Sequence, residues 1–232
     1  MIEVEGLQVP RGGFALRADL RVGPGEICAV IGPSGAGKST LLEAIAGFAP
    51  PSAGTIRVAG RDLGDAPPSD RPVTLLFQDH NLFPHLDLRR NLGLGLRGGL
   101  RLSAADDMRI EAALAETGLA GLSARRPDEL SGGQRRRAAL ARALLRDRPV
   151  LLLDEPFEGL GPALREELGD LIAAKTAERG LAALMVTHDP DDARRIAATV
   201  APCLDGRIKG ARPTAEALDR PDAALAAYLG RR

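Results

Sequence analysis

Four short apolar runs, each ending in polar residues, constrain this chain more than any other feature. Ile27-Cys28-Ala29-Val30-Ile31 leads into Gly32-Pro33-Ser34-Gly35-Ala36-Gly37-Lys38-Ser39-Thr40. Val73 to Phe77 ends at Gln78, Val150 to Leu153 ends at Asp154-Glu155, and Ala182 to Val186 ends at Thr187-His188-Asp189. Such runs are too short for buried helices and too continuous for strands with one wet face, so they read as strands covered on both faces. Helical patterns separate them, one starting at Lys38, one following Ser131 and one following Pro162. Alternating strands and helices predict an α/β fold with a mainly parallel sheet. In such sheets the carboxyl ends of the strands open on one crevice, where ligands bind. One polar strand end could arise by chance; four make a site.

Before the first run, Ile2 to Val9 and Phe14 to Val22 alternate like strands around a Gly12-Gly13 turn, which predicts an N-terminal antiparallel β subdomain. From Asp79 to Arg148 no comparable strand occurs, and helical patterns run throughout. Ser103 to Thr117 is one of them, with Ser103 and Asp106 spaced as a capping pair and Gly118-Leu119 as a left-handed stop. The expectation is one domain over 1–232, with a core formed by 1–78 and 149–232 and a helical subdomain, 79–148, inserted into it. The Pro- and Asp-rich stretch from Gly60 to Pro72 is expected as a surface loop.

Gly32 to Ser39 fits the phosphate-binding pattern G-x-x-x-x-G-K-[ST], between a strand and a helix as its mechanism requires. Glycines let the loop turn its N–H groups inward around a phosphate, at a helix N-terminus where negative charge is favoured. Lys38 supplies a cation for the β- and γ-phosphates, and the Ser39 hydroxyl is a Mg²⁺ ligand. Asp154 at its strand end can hold Mg²⁺ through a water, and Glu155 can orient or deprotonate an attacking water. Alone, such an acid pair is as readily a helix cap or a solvated turn; the upstream phosphate loop selects the chemical reading. Asp189-Pro190 reads as an N-cap followed by Pro at the first helical position, which fixes His188 at the sheet edge facing the crevice.

Leu130-Ser131-Gly132-Gly133-Gln134 places a capping Ser and two glycines before a helix expected to begin near Gln134, leaving N–H groups open to an anion. It lies within the helical stretch and is not expected to reach the phosphate loop of its own chain, so a partner subunit must present it. Arg135-Arg136-Arg137 reads most simply as a solvated helix face, with a phosphate or partner contact as the alternative.

Composition excludes several classes. Lys+Arg and Asp+Glu are equal at 31 each, against the basic excess of a nucleic-acid binder. With no Trp and one Tyr, stacking platforms for single strands are not expected. No apolar run reaches the ~18 residues of a membrane span, and the acidic, alternating start is unlike a signal peptide. Cys28 and Cys203 form no metal or redox motif, which points to a reducing cytoplasm.

The phosphate loop, Gln78, the Leu-Ser-Gly-Gly-Gln signature, Asp154-Glu155 and His188 stand in the order found in ATP-binding cassette (ABC) transporter ATPases, and the whole chain resembles that family. The resemblance implies a P-loop NTPase (RecA-like) core, ATP and Mg²⁺ as cofactors, and hydrolysis coupled to transport. It implies that Gly32 to Thr40 and Gln78 bind nucleotide together with a partner's Ser131, Gly132, Gly133 and Gln134. It also implies that Ser39, Gln78 and Asp154 hold the metal, and that Glu155 and His188 are catalytic. Two copies would form a head-to-tail sandwich around two ATP on the cytoplasmic face of the inner membrane. The sandwich would drive a permease and, through it, serve a periplasmic binding protein. The segments Pro67 to Val73, Leu76 to Leu86 and Asn91 to Leu96 resemble more narrowly the ATP-binding subunits of bacterial thiamine importers. Another cargo, such as iron(III) or an oxyanion, and an ATP-binding regulatory module are the alternatives. Two departures stand out. No aromatic follows the first strand where the family stacks adenine, leaving Phe14 and the Arg11 guanidinium as candidates. Glu158-Gly159-Leu160-Gly161 lacks the acid that ends the family's D-loop.

Overall fold

The computed structural model describes residues 1–76, 82–96 and 101–230. The N-terminal hairpin pairs β1 (Ile2–Arg11) with β2 (Phe14–Val22), and Arg11 faces Phe14 across the Gly12-Gly13 turn. β3 (Ile27–Ile31) runs into α1 (Lys38–Ala46). β4 (Ala53–Val58), β5 (Arg61–Asp62) and β6 (Val73–Leu76) come after it. Helices α2 (Leu88–Leu96), α3 (Ala104–Glu116) and α4 (Gly132–Leu145) come next. The chain then alternates through β7 (Val150–Asp154), α5 (Pro162–Glu178), β8 (Ala182–Thr187) and α6 (Pro190–Ile196). It ends with β9 (Thr199–Leu204), β10 (Arg207–Lys209), β11 (Arg212–Pro213), α7 (Thr214–Asp219) and α8 (Ala223–Tyr228).

The strand order is β5-β4-β1-β2-β10-β9-β3-β8-β7-β6, with β11 paired to β9. β9, β3, β8, β7 and β6 are parallel, while β5, β4, β1 and β2 are antiparallel. The parallel strands bury alternate residues in two different cores. Val150 and Leu152 pack with Leu184, Val186, Cys28 and Val30 on one face, beside α1. Leu151, Leu153, Met185, Ala29 and Ile31 pack on the other, beside α4 and α5. That is why these runs are apolar at every position. α4 belongs to both layers: Ala139, Leu140, Ala143 and Leu144 join the sheet core, while Ala138, Ala141 and Leu145 pack with Leu88, Leu92, Ile110 and Leu114 of α2 and α3. Helical periodicity separates the two stripes. No strand occurs among the described residues from 82 to 148.

Several expectations need correction. β9 is not among the strands anticipated from the sequence; it pairs with β3 in parallel and carries Pro202 beside Ile31. β4 is likewise not anticipated. Gly54 sits at φ +86, where an added Cβ would come within 2.4 Å of the Gly6 carbonyl oxygen. β1 shifts register against β4 between Glu5 and Gln8, a bulge with two β1 residues facing Gly54. The Gly60 to Pro72 segment is not simply a surface loop. Arg71 is 3% exposed and donates to the Ala44, Ile45, Gly64 and Ala66 carbonyls at 2.8 to 3.0 Å, tying the segment to the last turn of α1. A buried guanidinium satisfied by four carbonyls arises from tertiary geometry, to which composition is blind.

Candidate functional site

The site begins where β3 ends. Gly32 passes so close to β9 that a Cβ would lie 2.0 Å from the Cys203 carbonyl oxygen, so only glycine fits. Gly35 and Gly37 take φ of 79° and 103°, curling the loop back on the first turn of α1. α1 has no side-chain cap and no acid in its first turn, so its leading N–H groups and dipole are open to an anion. Lys38 is 6% exposed and donates from Nζ to the Gly32 oxygen at 2.8 Å and the Pro33 oxygen at 3.0 Å. Its charge is held over the loop, within reach of a phosphate seated there.

Strand register brings the other groups to the same level. Ile31 pairs with Thr187, and Asp154 pairs with Val186. Ser39 Oγ therefore meets Asp154 Oδ1 at 3.1 Å, across 115 residues of sequence. Glu155, one residue past the strand, adopts φ +47 while its N–H donates to the Val186 oxygen at 3.1 Å. A left-handed Glu costs on the order of 1 kcal/mol or more, and it turns the carboxylate back over the crevice. Glu155 Oε2 lies 2.9 Å from His188 Nδ1. The Glu155 side chain is 17% exposed and the His188 ring 58%. Burial pushes the Glu155 carboxyl above its ordinary value, and the nearby His188 and Lys38 pull it part of the way back. A raised carboxylate is a better proton acceptor near neutral pH. Burial likewise raises Asp154, against the Ser39 hydroxyl bond.

These residues line one cavity of about 590 Å³, walled by Arg11, Phe14, Ser34, Gly35, Gly37 to Thr40, Asp154, Glu155, Glu158 and His188. The uncapped helix end, the inward-curling glycines and the buried ammonium fit a nucleoside triphosphate. Two hard oxygens, Ser39 Oγ and Asp154 Oδ1, suit Mg²⁺, which takes few protein ligands and fills its shell with phosphate and water. No cluster of three or more acidic, His or Cys side chains able to hold a metal by themselves exists among the described residues. Both candidates for the adenine contact stand at the cavity wall. Phe14 is 40% exposed there, whereas the Arg11 guanidinium is engaged with Glu43 at 2.8 Å.

The signature residues sit elsewhere. Ser131, Gly132, Gly133 and Gln134 do not line the cavity. Ser131 Oγ accepts from Gln134 N–H at 3.2 Å and Gln134 Oε1 accepts from Ser131 N–H at 2.9 Å, a capping box. The helix starts at Gly132, earlier than the expected Gln134. The arginine run is not a solvated face. Arg135 donates to the Leu130 oxygen at 2.7 Å, Arg136 to the Glu158 oxygen, and Arg137 to Glu167 at 2.9 Å. Each is half-buried between α4 and neighbouring carbonyls or α5. Gln78 lies outside the described residues. Asp189 caps α6 as expected, accepting from Asp191 N–H at 2.9 Å. Sequence reasoning missed Glu158 in the cavity wall, and Arg165, which pairs with Asp189 and with Asp192 at 3.1 Å. Arg165 carries no motif; only its place one turn into α5 hinted at the site.

A sheet whose strand ends carry a phosphate loop, an acid pair and a histidine defines a P-loop NTPase. The family model described as ABC transporter matches residues 16–158, more than half of the chain. The chain belongs to the ABC transporter family. It is 57% identical to the thiamine import ATP-binding protein ThiQ of Cereibacter sphaeroides, over 99% of this chain and 100% of that one. It is 52% identical to the protein of the same name from Ruegeria, over 99% and 100%. Among solved structures it resembles the dimeric post-hydrolysis state of the ATP-binding cassette MJ0796 bound to ADP and Pi. The TM-score is 0.79 at 26% identity, over 92% of this chain and 99% of that one.

Proposed function

We propose that this chain is the ATP-hydrolysing subunit of a bacterial thiamine importer. The observation that carries the hydrolytic part is the convergence of Lys38, Ser39, Asp154, Glu155 and His188 on one cavity, with Glu155 and His188 already 2.9 Å apart. The cargo is supported by the two relatives named for thiamine import, which align over nearly their entire lengths.

The triphosphate lies against the N–H groups of Gly35 to Ser39, and Lys38 exchanges its loop carbonyls for phosphate oxygens. Ser39 and Asp154 would hold Mg²⁺, with Gln78 as the family resemblance implies, and the ion would supply positive charge beside the phosphates. Glu155 accepts the proton of the attacking water, and His188 keeps that carboxylate aimed. Ser131 to Gln134 lie outside their own chain's cavity, which suits a second copy of the chain presenting them to the nucleotide, in a head-to-tail dimer. No helix among the described residues is long and apolar enough to cross a membrane. In this reading the subunit works peripherally on the cytoplasmic face, bound to a permease that a periplasmic thiamine-binding protein supplies. The core of 1–78 and 149–232 carries the chemistry, and the helical part, 79–148, carries the signature.

Glu155→Gln tests the reading. The variant should bind ATP with unchanged affinity, hydrolyse it roughly 10²-fold more slowly or worse, and accumulate as an ATP-bound dimer by light scattering. Hydrolysis at the wild-type rate removes Glu155 from its role. A monomer at saturating ATP refutes the dimer.

A further inference from the structure

The His188 ring is more than half exposed and has little packing of its own. Its place against Glu155 must come from its backbone, and that backbone has tethers from outside the loop. On one side Arg165, from α5, pairs with Asp189 and Asp192, while Thr187 Oγ1 accepts from Asp189 N–H at 3.0 Å. On the other, the Tyr228 hydroxyl, at the end of α8, donates to the carbonyl oxygen of His188 itself at 2.8 Å.

α8 is a firm base for that bond. Asp222 caps it through Leu225 N–H at 2.9 Å, Leu225 is fully buried, and Tyr228 and Leu229 pack against the sheet core beneath. A tyrosine reaching 40 residues back to a single carbonyl holds that residue at a set height above the sheet. We propose that Tyr228 is a positioning residue for the hydrolytic pair: through the His188 carbonyl it sets the imidazole against Glu155, so that the last helix of the chain tunes turnover without touching nucleotide. The proposal rests on the assignment of His188 to hydrolysis under the proposed function.

Tyr228→Phe keeps the ring and its packing and removes only the donor. In the full-length protein at saturating ATP, the variant should lose about 2- to 10-fold in kcat, the scale of one hydrogen bond. Affinity for ATP should not change. Amide exchange should rise at 188–192 and stay constant in the strands. The deciding arm is the double variant. In a His188→Ala background, Tyr228→Phe should have no further effect, because a residue acting through His188 has nothing left to position. An unchanged kcat in Tyr228→Phe, a parallel loss of ATP affinity, or an additive loss in the His188→Ala background would each overturn the proposal. The two readings fail differently. If His188→Ala itself turns over at the wild-type rate, the role of His188 falls and this inference with it. If His188→Ala is slow and Tyr228→Phe is not, only Tyr228 is misassigned.

Discussion

Replacing Gly161 by Asp should stabilise this protein. Gly161 is the N-cap of the 17-residue α5, at φ −67 and ψ 161, followed by Pro162 and lacking any side-chain cap. Those angles suit any residue, and an added Cβ would meet nothing within 4 Å. Three terms then favour the variant. Asp in place of Gly at an N-cap contributes a few tenths of a kcal/mol. Loss of glycine freedom in the unfolded chain adds about 0.4–1, and a negative charge on the helix dipole about 0.3–1. The sum is about 1–2 kcal/mol, or a rise in Tm of roughly 2–8 °C for a domain of this size. Calorimetry of the nucleotide-free protein measures it. Gly159→Ala is the internal contrast: Gly159 sits at φ +68, so the same kind of change should lower Tm. The two glycines of this loop are therefore not equivalent, and only Gly159 is required by its backbone. Because the family pattern places an acid at 161, Gly161→Asp should also raise basal ATP turnover and sharpen its cooperativity. An unchanged or lower Tm would refute the capping argument; falling turnover would refute the claim that an interfacial acid is missing.

The same geometry sets further outcomes. Lys38→Ala should abolish ATP binding in a direct titration, since the loop would then enclose the triphosphate without its cation; undiminished affinity would sink the phosphate-loop assignment. Phe14→Ala should weaken ATP by about 5- to 150-fold, the worth of one base stacked on a ring, while leaving inorganic triphosphate binding unchanged; equal losses for both would move the adenine contact elsewhere. Burial pushes the Asp192 carboxyl up to about 6 from 3.8, despite Arg165 beside it. The folded state thus holds that proton more tightly than the unfolded chain, so this contribution to stability is present at low pH and lost as pH rises through about 6. Asp192→Asn should flatten the fall in Tm across that window, and an unaltered slope would show that another group titrates there.

Legibility in the sequence tracks the range of the interactions. β3, β7 and β8 are readable because burial on both faces makes every position apolar, and the phosphate loop because its glycines, Lys38 and Ser39 act within one turn of chain. The caps at Ser103, Ser131 and Asp189 are equally local. The features that escape are set by distant partners. Arg71 looks like one more loop charge until four carbonyls from two segments surround it. Arg135 to Arg137 look solvated until the carbonyls of Leu130 and Glu158 and the side chain of Glu167 close on them. Pro202 argues against a strand, yet β9 accommodates it beside Ile31. Tyr228 and Arg165 carry no motif, and both act at the loop after β8.

The apolar register and the polar site depend on each other. Asp154 stands beside Val186 because Leu152 and Leu184 share one core while Leu153 and Met185 share the other. A slip of one residue in β7 would send each of these side chains to the wrong face and move Glu155 by a full strand step of about 3.3 Å. A 2.9 Å hydrogen bond tolerates only a few tenths of an ångström, far less than that step, so the contact between Glu155 and His188 depends on the native register. The left-handed turn at Glu155 adds a local cost, offset by the bond from its N–H to Val186 within the same register. Core packing therefore holds the strain at Glu155, and a cavity made in β7 or β8 should loosen the Glu155–His188 contact before it disturbs the phosphate loop, which rests on β3 and β9.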